Sequence, residues 1–179
     1  RTLSSIPPMF PLYSDRPLSS VPFVTALLII LNGAVFWMQL TWQGGFEHSV
    51  TFLGLVPNAF VHPGSVPWAG GVHPYVTVLT SIFSHGGFLH IGANMLYLWV
   101  FGRNVEDDFG HTRFLVFSLL AGIAAGVGFA YAYPSSSIPL VGASGAIAGV
   151  LGAYFLRFPS SRIFTLFIVI IIIRVIVTI

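Results

Sequence analysis

The sequence predicts an all-α, polytopic transmembrane helix bundle, and two observations carry that expectation. Of 179 residues, 55% are hydrophobic and 7% are charged, where soluble domains average about 25% charged residues. The apolar residues also fall in long runs punctuated by Pro, Gly and clustered charge. The first run is long enough to cross a hydrocarbon layer of roughly 30 Å at about 1.5 Å per residue. The isoelectric point near 9.3 does not point to nucleic acid, because all seven basic residues are Arg, scattered singly. The absence of Cys excludes disulfides, thiolate catalysis and Cys-based metal sites.

Residues 1–20 hold four prolines with Arg1, Asp15 and Arg16, and read as a polar, loosely ordered arm without an apolar signal segment. Residues 21–179 then form the membrane domain. Its first span runs from about Val21 to Trp42 and carries Asn32 mid-span, expected to make an interhelical hydrogen bond. Residues 43–74 contain Gly44-Gly45, four prolines, Trp68 and His48, His62 and His73, without a helical stripe long enough to span. They read as a connection in or on the outer leaflet. Ser84-His85-Gly86-Gly87 breaks the pattern, and a second span runs from about Phe88 to Gly102. Arg103, Glu106, Asp107 and Asp108 mark its polar exit. The third span, about Thr112 to Tyr133, carries Gly122-x-x-x-Gly126 and reads as a packing helix. The fourth helix, about Ser144 to Phe158, is only about 22 Å long, so its start is expected to lie below the membrane surface. A fifth apolar run, Ile163 to Ile179, is expected to be a helix cut short inside a span. Arg174 lies within that run and is expected to snorkel to the outer surface.

Arg16, Arg103, Arg113, Arg157 and Arg162 all flank alternate loops, while 43–74 and 134–143 have no Arg. The positive-inside rule therefore puts the N-terminus in the cytoplasm. His90 and Asn94 then lie one and two turns in from the outer surface, and Ser144 is recessed from the same side. Being spaced i, i+4, His90 and Asn94 share a helix face.

Leu140 to Gly149 concentrates the chemistry. Gly142 permits backbone angles closed to other residues, and Gly145 with Gly149 allows a close helix approach. A serine at a helix start sits in a positive field beside free backbone N–H groups, where an anionic intermediate would be stabilised. The same stretch also reads as a packing face with a Ser cap. His90 and Asn94 likewise read either as an interhelical hydrogen-bonding pair or as donors to a developing oxyanion. Three polar groups at one depth in lipid favour the functional reading. Zinc is disfavoured, since His-Glu-x-x-His is absent and His85 and His90 are five apart.

These pieces, in this order, resemble the rhomboid intramembrane serine proteases. The resemblance rests on His85-Gly-Gly-Phe-Leu-His90-Ile-Gly-Ala-Asn94, on Phe101-Gly102 with Glu106 and Gly110, and on Gly142-Ala143-Ser144-Gly145 with Gly149 and Gly152. It implies a six-helix core, of which five spans are present here, in a multi-pass protein of a bacterial inner membrane. It implies cleavage of transmembrane segments of other proteins, with no metal and no cofactor. Ser144 would be the nucleophile, and His90, Asn94 and the Ser144 backbone N–H would form the oxyanion hole. His85 would lie near the cavity mouth, with Gly142 and Gly145 shaping the turn. Glu106 would tie structure together at the cytoplasmic end of the second span. The family's general base is a His on the sixth helix, and none of the six histidines here matches that motif; the chain is expected to continue. Ala148 stands where many relatives carry an aromatic residue, and Val72-His73-Pro74 near where a Trp-Arg pair is common. A rhomboid-like pseudoprotease that binds transmembrane clients is the alternative. A channel or transporter would want charged residues or inverted repeats lining a path, which are not seen.

Overall fold

A computed structural model of the chain describes residues 9–14, 17–64, 72–159, 161 and 163–167. Helix α1, Phe23–Leu40, buries Val24, Thr25, Leu28, Asn32, Phe36 and Gln39, and turns Leu27, Ile30, Leu31 and Trp37 outward. The inward polar residues Thr25, Asn32 and Gln39 recur every seventh position along one stripe. The polarity is thus reversed from that of a soluble helix: hydrogen-bonding groups face protein and hydrocarbon faces lipid. Among the described residues Asn32 makes no bond across helices, contrary to expectation. Its Nδ2 donates to the Leu28 carbonyl one turn back, at 2.7 Å, the local alternative open to a short amide side chain.

The connection after α1 folds into two short helices, α2 (Phe46–Leu53) and α3 (Pro57–Val61). Neither approaches membrane-spanning length. Helix α4, Pro74–Phe83, follows, and the chain breaks at Ser84 to Gly87 as the sequence predicts. The helix that resumes runs without interruption through α5 (Phe88–Tyr97), a π turn (Leu98–Gly102) and α6 (Arg103–Phe109). It is bent by 76° relative to α4. Helix α7, His111–Ala132, and helix α8, Ser144–Arg157, follow and are the last helices among the described residues. Among the described residues α1 and α7 are long and apolar enough to cross a membrane, and the bent pair counts as a third span if taken together. The 14 residues of α8 reach about 21 Å. The protein is an integral membrane helix bundle.

Glu106 ties the first helix to the second span. Its carboxylate, fully buried, accepts the Val24 and Thr25 N–H groups at 2.7 Å each and the Thr25 hydroxyl at 2.6 Å. His111 Nδ1 lies 2.6 Å from the same group. Two of these donors are free N–H groups at the start of α1, where the helix dipole favours a negative charge. On the same inward side, Val100, Val105, Phe114 and Val150 are fully buried, and Phe101 meets Tyr154 edge-on at 4.9 Å.

The described start of the fifth apolar run, residues 163–167, departs from expectation. Ile163–Phe167 is a strand, β2, paired antiparallel with β1, Met9–Ser14, from the arm expected to be loosely ordered. Ile, Phe and Thr favour extended backbone, and pairing satisfies the N–H and C=O groups that each strand turns toward the other. The register slips between Pro11 and Tyr13, since proline has no N–H to give to a ladder. Residues 168–179, including Arg174, lie outside the described residues.

Candidate active site

The loop before α8 is fixed from two directions. Leu55 and Leu140 exchange backbone hydrogen bonds of 3.0 and 2.8 Å, which joins the connection between α2 and α3 to this loop. The Gly142 N–H donates to the Ser81 carbonyl of α4 at 2.8 Å. Gly142 has φ +113°, backbone that glycine adopts without a Cβ penalty. Helix α8 then starts at Ser144. The flanking residue is Ala143, which has no side-chain oxygen to cap with, so Ser144 is the first helical residue rather than a cap. The Ser-cap alternative therefore fails, and Ser144 stands exposed.

Small residues hold this helix start close to α7. A methyl group on Gly145 would lie 2.6 Å from the Ala125 Cβ, and one on Gly149 2.5 Å from the Ala121 Cβ. Gly122 of α7 is equally tight against Ile82 of α4, with 2.7 Å to its Cδ1. The Gly-x-x-x-Gly spacings thus act as packing faces, as the sequence predicts.

His90 and Asn94 of α5 converge on the same turn. A methyl group on Gly142 would stand 2.6 Å from His90 Nε2 and 3.3 Å from Asn94 Nδ2. The glycine is what admits both side chains to a point two residues before Ser144. Asn94 is buried, and its Nδ2 has no hydrogen-bond partner among the described residues. Leaving a buried amide donor unsatisfied costs about 1–3 kcal/mol. The Gly86 N–H donates to His90 Nδ1 at 3.3 Å. With that nitrogen accepting, the proton of neutral His90 sits on Nε2, the atom beside Gly142. The turn therefore carries two side-chain donors, one from each residue, with backbone N–H groups of the α8 start adjacent.

His85 neighbours this pair, with its ring edge-on to His90 at 5.2 Å. It is fully buried, and its Nδ1 lies 3.2 Å from the Phe83 carbonyl. Glu106 belongs to the separate network with Thr25 and His111 described above. Among the described residues no three His, Asp or Glu side chains gather as a metal site. Sequence reasoning missed Leu55, Ser81 and Gln39, which hold the backbone around the site. Of these, only Gln39 left a signal, the seven-residue recurrence of polar side chains in α1.

A family model described as the Rhomboid domain matches residues 73–179, which include Ser81, His85, His90, Asn94, Glu106, Gly142, Ser144 and Gly145 but not Gln39 or Leu55. Rhomboid protease GluP of Bacillus subtilis is 35% identical over 134 residues, 74% of this chain and 24% of that protein. The mitochondrial rhomboid protein 1 of Saccharomyces cerevisiae is 37% identical over 93 residues, 49% of this chain and 27% of that protein. The human presenilin-associated rhomboid-like protein, mitochondrial, is 34% identical over 92 residues, 50% of this chain and 24% of that protein. The chain spans about a quarter of the length of these curated relatives, which include bacterial and mitochondrial members. With more than half of its residues inside that domain, and with its Gly-x-Ser-Gly turn packed against a His-x-x-x-Asn pair, the chain belongs to the rhomboid family.

Proposed function

We propose that the protein is an intramembrane serine endopeptidase that cleaves transmembrane segments of other membrane proteins. The observation that carries this reading is the convergence of His90 Nε2 and the unpartnered Asn94 Nδ2 on Gly142, beside an exposed Ser144 that opens a helix. In this reading Ser144 Oγ attacks the scissile carbonyl and its proton passes to a histidine base. The carbonyl oxygen becomes an anion held by His90, Asn94 and the Ser144 N–H. The C–N bond breaks as the base returns the proton to the leaving amine, and water then hydrolyses the acyl-enzyme. The base is the family's histidine of a later helix. The N-terminus is cytoplasmic in a bacterial inner membrane, so α8 begins from the outer side, where that water enters. GluP, whose name describes it as a protease, supports the class of chemistry.

The test is cleavage of a transmembrane reporter by the full-length protein. Ser144→Ala abolishes it, and Asn94→Ala slows it by roughly 10²–10³. Cleavage that survives Ser144→Ala overturns the assignment. Ala148, in place of the aromatic residue many relatives use to support the base, favours the competing reading of a client-binding pseudoprotease, which predicts no cleavage even by the unmodified protein.

A further inference from the structure

We propose that Gln39, on the first helix, is a positioning residue that sets the protonated nitrogen of His90. The inference rests on the reading above, in which His90 Nε2–H is an oxyanion donor. Gln39 is fully buried near the end of α1. Its Oε1 accepts the His85 N–H at 2.9 Å, while its Nε2 donates to the Ser84 hydroxyl at 2.8 Å and to the His85 carbonyl at 3.2 Å. One side chain thus holds both backbone groups of the residue at the break between α4 and α5. Helices cannot satisfy those groups there, because Ser84 to Gly87 are non-helical and the axis turns by 76°.

The geometry continues from this clamp to the site in one step. Gly86, next in the chain, directs its N–H at His90 Nδ1. That bond makes Nδ1 the acceptor and leaves the proton on Nε2, beside Gly142. The His85 ring, carried by the clamped backbone, closes one side of His90 edge-on at 5.2 Å. If the clamp is lost, the peptide between His85 and Gly86 is free to rotate, and Nδ1 no longer meets a fixed donor. The imidazole then distributes its proton between both nitrogens, and the fraction with Nε2–H aimed at the turn falls.

The experiment compares the full-length protein with Gln39→Met, which keeps the length and removes all three bonds, and with Ser84→Ala, which removes one. Nitrogen-15 NMR of histidine-labelled protein without substrate reads the His90 tautomer, and reporter cleavage reads kcat and KM. Gln39→Met is expected to show both neutral tautomers of His90 and a kcat lowered roughly tenfold or more, with KM within about twofold. Ser84→Ala gives a smaller change in the same direction and serves if Gln39→Met fails to fold. A variant that melts at lower temperature but keeps the His90 spectrum and kcat of the unmodified protein overturns the proposal and leaves Gln39 a structural clamp only. The spectrum needs no substrate, so it decides the role of Gln39 even if the unmodified protein proves unable to cleave, a result that would sink only the protease reading.

Discussion

Gly142 stands so close to His90 that a single methyl group on the glycine would lie 2.6 Å from the ring Nε2. Real carbon–nitrogen contacts do not tolerate that distance, and φ +113° penalises any side chain there in addition. Gly142→Ala must therefore displace either the turn carrying Ser144 or the His90 ring that meets it. A displacement of about 1 Å at reacting groups costs on the order of a hundredfold in rate. Reporter cleavage by the Gly142→Ala protein is expected to fall at least that far while its circular dichroism stays helical.

The Glu106 carboxylate is a structural device with a measurable cost of removal. Glu106→Gln keeps the shape but turns an amide NH₂ toward N–H and O–H donors from Val24 and Thr25. Breaking a buried charge network of this kind costs about 3 kcal/mol. Thr25→Val removes one hydroxyl and should cost about 1 kcal/mol. Unfolding in detergent measures both, and the larger effect is expected from Glu106.

The two glycines of α8 that face α7 differ from one that does not. Gly149→Val inserts atoms where Ala121 already leaves 2.5 Å, an overpacking change of about 1–3 kcal/mol. Gly152 has nothing within 4 Å of where its Cβ would lie, so Gly152→Val should stay within about 0.5 kcal/mol in the same unfolding assay.

Asp107, just beyond the apolar part of the second span, fastens the segment before α1. Its carboxylate accepts the Ser20 hydroxyl at 2.6 Å, the Ser20 N–H at 2.7 Å and the Ser19 N–H at 3.1 Å. The Ser20 hydroxyl and the other donors pull its pKa from 3.8 down to about 2. The folded form prefers the ionised carboxylate, so the contribution is complete above pH 3.8 and disappears as pH falls toward 2. Hydrogen-exchange protection of the Ser19 and Ser20 amides, corrected for intrinsic rates, should decline over that interval, and Asp107→Ala should remove it at every pH.

Much of this architecture is readable from residue spacing, because helices and close glycine contacts have local signatures. The break at Ser84 to Gly87, the start of α8 at Ser144 and the tight faces of Gly122, Gly145 and Gly149 all follow from single residues or short periods. His90 and Asn94 share a face by their i, i+4 separation, and the loop order brings that face to Gly142. Long-range backbone pairing has no such signature. Nothing in Leu55 or Ser81 announces a bond to Leu140 or Gly142, and Gln39 is visible only once α1 is known to face polar residues inward. Asn32 reads as an interhelical donor because polar side chains in lipid need partners, yet its own helix offers the Leu28 carbonyl. Residues 163–167 read as the start of a helix by hydropathy, but short stretches of Ile, Phe and Thr serve a strand equally well, and β1 supplies the partner.

The most direct measurement is labelling of the full-length protein with a fluorophosphonate, followed by mass spectrometry of the modified peptide. The account predicts one modified residue, Ser144, with labelling slowed by Asn94→Ala. A folded protein whose Ser144 stays unmodified, or whose adduct forms on another serine, would contradict it.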